Sequence, residues 1–228
     1  MEVVNLLNIV KENVIYKGAE ANLYYGRWFN KEVIFKYRVP KNYRINELDI
    51  RIRNERTLNE ARALIKVKNF KLNVPQVYEI DIVNSIIVMK FIQGDKLKNI
   101  LKTLDYSKKE EIFKKIGHDI AILHINGHIH GDITTSNIIV TKNQKIFYID
   151  FGLHEYSEMV EDKSVDIHLL KRVLISSHGD DMEICFNAFL EGYKDEYNKY
   201  NPNECEQIIK NISAIETRGR YVKKEERK

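Results

Sequence analysis

The chain of 228 residues is poor in the features that would mark a secreted or membrane-bound protein. Cys185 and Cys205 are its only cysteines. One bridge could form between them, but a core of this size needs no staple, and buried free thiols are the commoner intracellular case. Neither stands at a metal-type spacing from histidine, which argues against structural zinc. No apolar run approaches the roughly 20 residues of a membrane helix. Residues 1–13 mix apolar and charged side chains and lack the apolar core of a signal peptide. These absences predict a soluble, cytoplasmic protein. There are three prolines, at 40, 75 and 202, no internal repeat and no low-complexity linker.

Hydrophobic residues make up 43% and charged residues 31%, which suits one large domain or two small lobes sharing a cleft. The net charge of +4 is concentrated in one place. Residues 217–228 hold six basic and two acidic side chains, so the rest of the chain is neutral. Such a tail either binds phosphate backbones through counterion release or is a solvated terminus.

The first third alternates as strands do. Val14–Lys17, Ala21–Arg27 and Glu32–Tyr37 are rich in β-branched and aromatic residues and are parted by Gly18 and Asn30-Lys31. A helix is expected from about Asn46 to Lys68, with Leu58, Ala61, Leu64 and Ile65 at helical spacing. Two more strands, Val77–Asp81 and Ser85–Phe91, complete a small first lobe. Beyond Gln93-Gly94-Asp95 the pattern turns helical. Ser107 with Glu110 has the form of a capping box. Ile112, Ile116, Ile120 and Leu123 recur as on an amphipathic helix ending at Asn126-Gly127. A hairpin of Ile138–Thr141 and Lys145–Ile149 follows, then helices near 163–175, 181–199 and 203–216. The expected architecture is α+β: residues 1–92 an antiparallel-sheet lobe with one helix, 93–216 a reduced helical lobe, and 217–228 a basic tail.

The chemistry concentrates in His130-Gly131-Asp132-Ile133-Thr134-Thr135-Ser136-Asn137 and Ile149-Asp150-Phe151-Gly152. Phosphoryl transfer from ATP needs a metal held by hard oxygens. An Asn amide oxygen and an Asp carboxylate brought together by a short hairpin meet that need. A second carboxylate, here Asp132, must orient the incoming hydroxyl and take its proton.

This set resembles the protein-kinase superfamily. The resemblance implies that Lys36 contacts the α- and β-phosphates, that Glu60 pairs with Lys36, and that Asp132 is the catalytic carboxylate. It also implies that Asn137 and Asp150 bind Mg²⁺. Lys17-Gly18-Ala19-Glu20-Ala21 takes the place of the phosphate loop. Met89 stands at the gatekeeper position, with Lys90 and Ile92 offering backbone groups to adenine. Glu55 is a rival for the ion pair; the resemblance favours Glu60, and periodicity puts Glu60 on the side of Thr57 and Leu64.

Three departures narrow the family. Gly131 replaces the arginine that couples a phosphorylated loop to the site. Thr134 stands where a lysine would meet the γ-phosphate, which suggests slower transfer. Little chain separates Gly152 from the next helix, and no Ala-Pro-Glu follows, so the platform for a substrate peptide is missing or reduced. With Lys36-Tyr37-Arg38-Val39-Pro40, residues 56–62, residues 161–166 and Arg218-Gly219-Arg220, the chain is similar to the small atypical kinase/ATPase of the KEOPS complex, related to RIO kinases. That resemblance implies ATPase activity, autophosphorylation and a transferase partner that covers the active site. It also implies a role in forming threonylcarbamoyladenosine on tRNA, with Arg218, Arg220, Lys223 and Lys224 reaching toward tRNA. Asp166 would support the catalytic loop, or serve as an ordinary helix N-terminal carboxylate. The competing readings are a small-molecule phosphotransferase of the aminoglycoside or choline kinase kind and a non-catalytic nucleotide sensor.

Overall fold

The chain divides after Gln93 into two compact units. The structure, a computed structural model, describes the backbone of residues 10–225 and the side chains of residues 14–217. The fold class is α+β, with an antiparallel sheet in the first unit and mainly helices in the second.

In the first unit β1 (Val10–Lys17), β2 (Ala21–Trp28) and β3 (Lys31–Arg38) run as a meander. Helix α1 (Asn46–Asn69) follows, then β4 (Val77–Asp81) and β5 (Ile86–Lys90). The sheet order is β1-β2-β3-β5-β4. Side chains alternate across β3, so Val33 and Phe35 face one way and Lys36 and Arg38 the other. Val33 and Phe35 form a core with Ile86 and Val88, covered by Tyr24, Trp28, Tyr37 and Tyr78. The opposite face receives α1, whose buried stripe is Thr57, Glu60, Ala61, Ala63, Leu64 and Val67. Ile65, expected on that stripe, is 48% exposed; the stripe runs through Ala63 and Val67 instead. Ser85 lies in the β4–β5 turn rather than in a strand, at φ +56.

The second unit begins with β6 (Asp95–Lys96) and the single turn α2 (Leu97–Ile100). Helix α3 (Tyr106–Ile125) leads through β7 (His128–Ile129) to the β8–β9 hairpin (Ile138–Val140, Ile146–Tyr148). Strand β10 (Glu155–Tyr156) pairs with β7, and α4 (Val160–Ser177), α5 (Met182–Tyr197) and α6 (Pro202–Glu225) close the unit. The cap of α3 is Asp105, not Ser107: its side chain accepts the Lys108 N–H at 2.8 Å, and Ser107 falls inside the first turn. The C-terminal signal is as expected, with Gly127 at φ +73 donating its N–H to His124 O. Helices α3 and α5 touch backbone to backbone. A Cβ at Gly117 would stand 2.0 Å from Phe189 O, and one at Gly192 1.9 Å from Lys114 O.

Helix α6 runs to Glu225, nine residues past the end read from periodicity, so the first part of the basic tail continues a helix. The side chains of Arg218, Arg220, Lys223 and Lys224 lie outside the described residues. Among the described residues no helix is long and apolar enough to cross a membrane, and both cysteines are free and buried.

Two buried histidines tie stability to pH. Burial pushes His130 below its ordinary value against the pull of Asp166, Asp132 and Asp150. Burial also pushes His178 down, helped by Lys102 and Lys98 and opposed by Asp181. The unfolded chain takes up protons at these sites near pH 6.5, whereas the folded chain resists them. The contribution of these two neutral imidazoles is therefore fully present above about pH 6.5 and is progressively lost as the pH falls below it. Thermal melts from about pH 7.5 to 5.5 are expected to show a progressive fall in stability as the pH drops through 6.5. His178→Gln should flatten that dependence; an unchanged slope would remove His178 from the account.

Candidate active site

The first-unit residues expected from the sequence to handle phosphate, Lys36 and Glu60, stand on β3 and α1. Lys36 Nζ donates to Glu60 Oε1 at 2.6 Å, and Glu60 is 1% exposed. Glu55, the rival, is exposed and faces Arg51 at 3.9 Å. The other carboxylate oxygen of Glu60 accepts from Arg38 Nη2 at 2.7 Å, a contact not anticipated from the sequence. Its signal was there: Arg38 is two residues from Lys36 and so shares its face.

The loop from Lys17 to Ala21 is a tight turn closed by the Gly18 N–H on Ala21 O at 3.0 Å. The Val39 N–H donates to Glu20 O and Lys41 Nζ to Ala19 O, while the Glu20 carboxylate takes Arg56 of α1 at 2.6 Å. The turn is thus fixed to β3 and α1 by its own acidic residue. Met89 on β5 is buried opposite Ile34. Ile92 is buried and Lys90 exposed, and the Lys90 N–H is committed to Gln76 O at 2.8 Å.

In the second unit one carboxylate shapes the loop that carries Asp132. Asp166 on α4, 1% exposed, accepts the N–H of His130 through Oδ2 and of Gly131 through Oδ1, both at 2.9 Å. These contacts place Asp166 as a support of the loop that carries Asp132, rather than only as a helix N-terminal carboxylate. Oδ2 also meets His124 Nε2 at 3.1 Å, and His124 Nδ1 meets the Tyr193 hydroxyl at 3.0 Å. His124 and Tyr193 were not singled out beforehand; a polar residue four positions after Ile120 on the apolar stripe of α3 was the available clue.

The structure also explains the departure at Gly131. Its φ is +81, and a Cβ there would lie 2.3 Å from Leu153 O. No side chain fits between the loop and the segment after Gly152, so arginine is excluded sterically.

The β8–β9 hairpin brings Asn137 and Asp150 to one end of a short ribbon. Ile138 pairs with Tyr148, and the Ile149 N–H donates to Asn137 O at 2.9 Å. Asn137 Nδ2 donates to Asp132 O at 3.0 Å and to Asp132 Oδ2 at 2.8 Å. With its amide hydrogens on Asp132, Asn137 has its carbonyl oxygen left to bind a cation. Asp150 sits in left-handed backbone at φ +64, and its Oδ1 accepts the Gly152 N–H at 3.3 Å. Tyr148, two residues before Asp150, is fully buried and donates to Asp119 Oδ2 on α3 at 3.1 Å. Burial, reinforced by Asp119, pushes the Tyr148 hydroxyl well above its ordinary value, so it stays a donor.

An Asn carbonyl and an Asp carboxylate are hard oxygen ligands. They suit Mg²⁺, which keeps several waters and shares substrate phosphates. Among the described residues no three His, Cys, Asp or Glu side chains gather as a self-sufficient metal site.

Comparison with known proteins gives the family. A RIO domain matches residues 30–168, more than half of the chain, taking in both Lys36 and Asp166. The KEOPS complex subunit Bud32 of Pyrococcus abyssi is 41% identical over 214 residues, which cover 91% of this chain and 96% of that protein. Two probable bifunctional tRNA threonylcarbamoyladenosine biosynthesis proteins are similar in the same region. That of Methanococcus vannielii is 38% identical over 97% of this chain, and that of Methanosphaera stadtmanae 40% over 92%. The matched region makes up only 38% and 37% of those two longer proteins. The chain belongs to the RIO-domain family, as a Bud32-type member of it.

Proposed function

We propose that this chain is a Mg-ATP-dependent atypical serine/threonine protein kinase and ATPase that works in the cytoplasm within the KEOPS complex. The process it serves is threonylcarbamoyladenosine modification of tRNA. The observation that carries the catalytic part is the coupling of Asn137 to Asp132. One side chain is aligned for a cation by the same carboxylate that would receive a hydroxyl proton. The names of the relatives support the assembly part, since one is a KEOPS subunit and others are tRNA threonylcarbamoyladenosine biosynthesis proteins.

In this reading Lys36, held by Glu60, binds the α- and β-phosphates, and the turn of Lys17, Gly18, Ala19, Glu20 and Ala21 covers them. Met89, the Lys90 carbonyl and the Ile92 amide frame the adenine. Asn137 and Asp150 hold Mg²⁺, whose charge would neutralise the phosphates. Asp132 orients the attacking hydroxyl or water and accepts its proton. Asp166 keeps that carboxylate in place by fixing the two preceding N–H groups. Thr134 supplies no positive charge to the γ-phosphate, so turnover is slow without help. The partner is the tRNA threonylcarbamoyl transferase subunit, and Arg218, Arg220, Lys223 and Lys224 meet tRNA.

ATP hydrolysis measured alone, with the transferase subunit, and with tRNA added tests the assignment. Stimulation by the partner or by tRNA is expected. Rapid phosphorylation of a small amine or alcohol would favour the phosphotransferase reading, and failure to bind Mg-ATP would end the catalytic one. Removing residues 218–228 should weaken tRNA association while leaving ATP binding unchanged. Counterion release on tRNA binding should then show a shallower salt dependence. Equal tRNA affinity after truncation would dismiss the tail.

A further inference from the structure

We propose that Arg38 is a positioning residue that holds Glu60, and with it α1, against β3 independently of Lys36. Glu60 is shared oxygen by oxygen, Oε1 taking Lys36 at 2.6 Å and Oε2 taking Arg38 at 2.7 Å. Both cations are nearly enclosed, Lys36 at 6% and Arg38 at 4% exposure. Arg38 Nη2 also reaches Arg56 O at 3.4 Å, one turn earlier on α1, so a single guanidinium grips the helix at two levels. Its main chain is fixed as well. The Arg38 N–H donates to Ser85 O, and the Ser85 hydroxyl lies between Arg53 at 3.0 Å and Asn54 at 2.9 Å, both on α1.

Arg38 Nε has no hydrogen-bond partner among the described residues. A guanidinium placed for its own solvation would not leave a buried donor bare. Its placement serves Glu60 and α1 instead.

The division of labour follows from the two side chains. Lysine is a point charge on a flexible stem that can swing toward phosphate, whereas Arg38 holds Glu60 and the Arg56 carbonyl together through the Nη2 of its planar guanidinium. If Lys36 alone held Glu60, turning its ammonium toward phosphate would strip a buried carboxylate of its partner, a costly state. With Arg38 on the second oxygen, Glu60 stays paired and α1 stays docked throughout. A helix fastened in this way needs no loop phosphorylation to bring it in, which agrees with the steric exclusion of arginine at Gly131.

The proposal rests on the reading of Lys36 as a phosphate contact, and its test separates the two. Hydrogen exchange at the amides of residues 57–64 is followed in the full chain for Lys36→Met, Arg38→Met and the double variant. Each single change is expected to leave exchange within about twofold, and the double change to raise it at least about tenfold. A tenfold rise in Lys36→Met alone, or no rise in the double variant, would overturn the tether. Should Arg38→Met fail to fold, Arg38→Lys combined with Lys36→Met keeps a cation at 38 and should preserve protection; full release there overturns it equally. In the activity arm, Arg38→Gln should lower kcat for ATP hydrolysis about tenfold with KM for ATP within about threefold, and Arg38→Lys should recover most of kcat. An unchanged kcat in Arg38→Gln counts against positioning. If no form of the chain hydrolyses ATP, the proposed activity falls, and the exchange arm still decides the tether.

Discussion

Asp150→Ala is expected to reduce ATP turnover by a factor on the order of 10²–10³ or more, because in the proposed reading it removes a ligand of the Mg²⁺ that would neutralise the transferred phosphate. Alanine alone would be an ambiguous test. Asp150 lies at φ +64, a conformation that Asp and Asn tolerate far better than Ala. Asp150→Asn keeps the backbone comfortable and removes only the negative charge. Both variants should lose turnover, while Asn should melt closer to the parent than Ala. Mg²⁺-dependent nucleotide binding, followed by calorimetry, should weaken in both. Full hydrolysis by Asp150→Asn would end the assignment of this residue as a metal ligand.

Asp166→Ala is expected to cost about 3–5 kcal/mol of stability, at the upper end for a single substitution. The carboxylate is 1% exposed and accepts two backbone N–H groups and faces His124 Nε2. Alanine leaves these groups buried without their acceptor, and each bears its own desolvation penalty. The loop that ends in Asp132 also loses its fixed start, so turnover should fall even in the surviving folded fraction. Denaturant unfolding with parallel ATP hydrolysis measures both effects. A loss under about 1 kcal/mol would mean that the loop holds its shape without the clamp.

The sequence made strands and helices legible where one face was plainly apolar. Ile112, Ile116, Ile120 and Leu123 named the buried side of α3, and all four are enclosed. It was less informative where polar groups do the organising. Ser107 and Asp105 are both sound caps on paper, and only the backbone at Asp105, φ −69 and ψ 168, decides between them. Arg38, Asp119, His124 and Tyr193 act through partners 22 to 69 positions away, a distance that no local window reads. Gly131 was visible as a departure, but its cause is a carbonyl at residue 153. Spacing marked Asn137 and Asp150 as candidates; which atom of Asn137 is available for a cation emerges only from its bonds to Asp132.

The two cysteines offer a practical consequence. Cys185 is enclosed on α5, where burial pushes its thiol up to about 12, and Cys205 is enclosed on α6 with its thiol also pushed up by burial. Both thiols are enclosed and burial disfavours their thiolate forms, so a thiol-reactive dye should react only slowly with the native helical unit. Its rate of incorporation into the unaltered chain becomes a clock for the opening of α5 and α6. Run with and without nucleotide, that clock would reveal whether ligand binding stiffens the helical unit, with no label engineered into the protein.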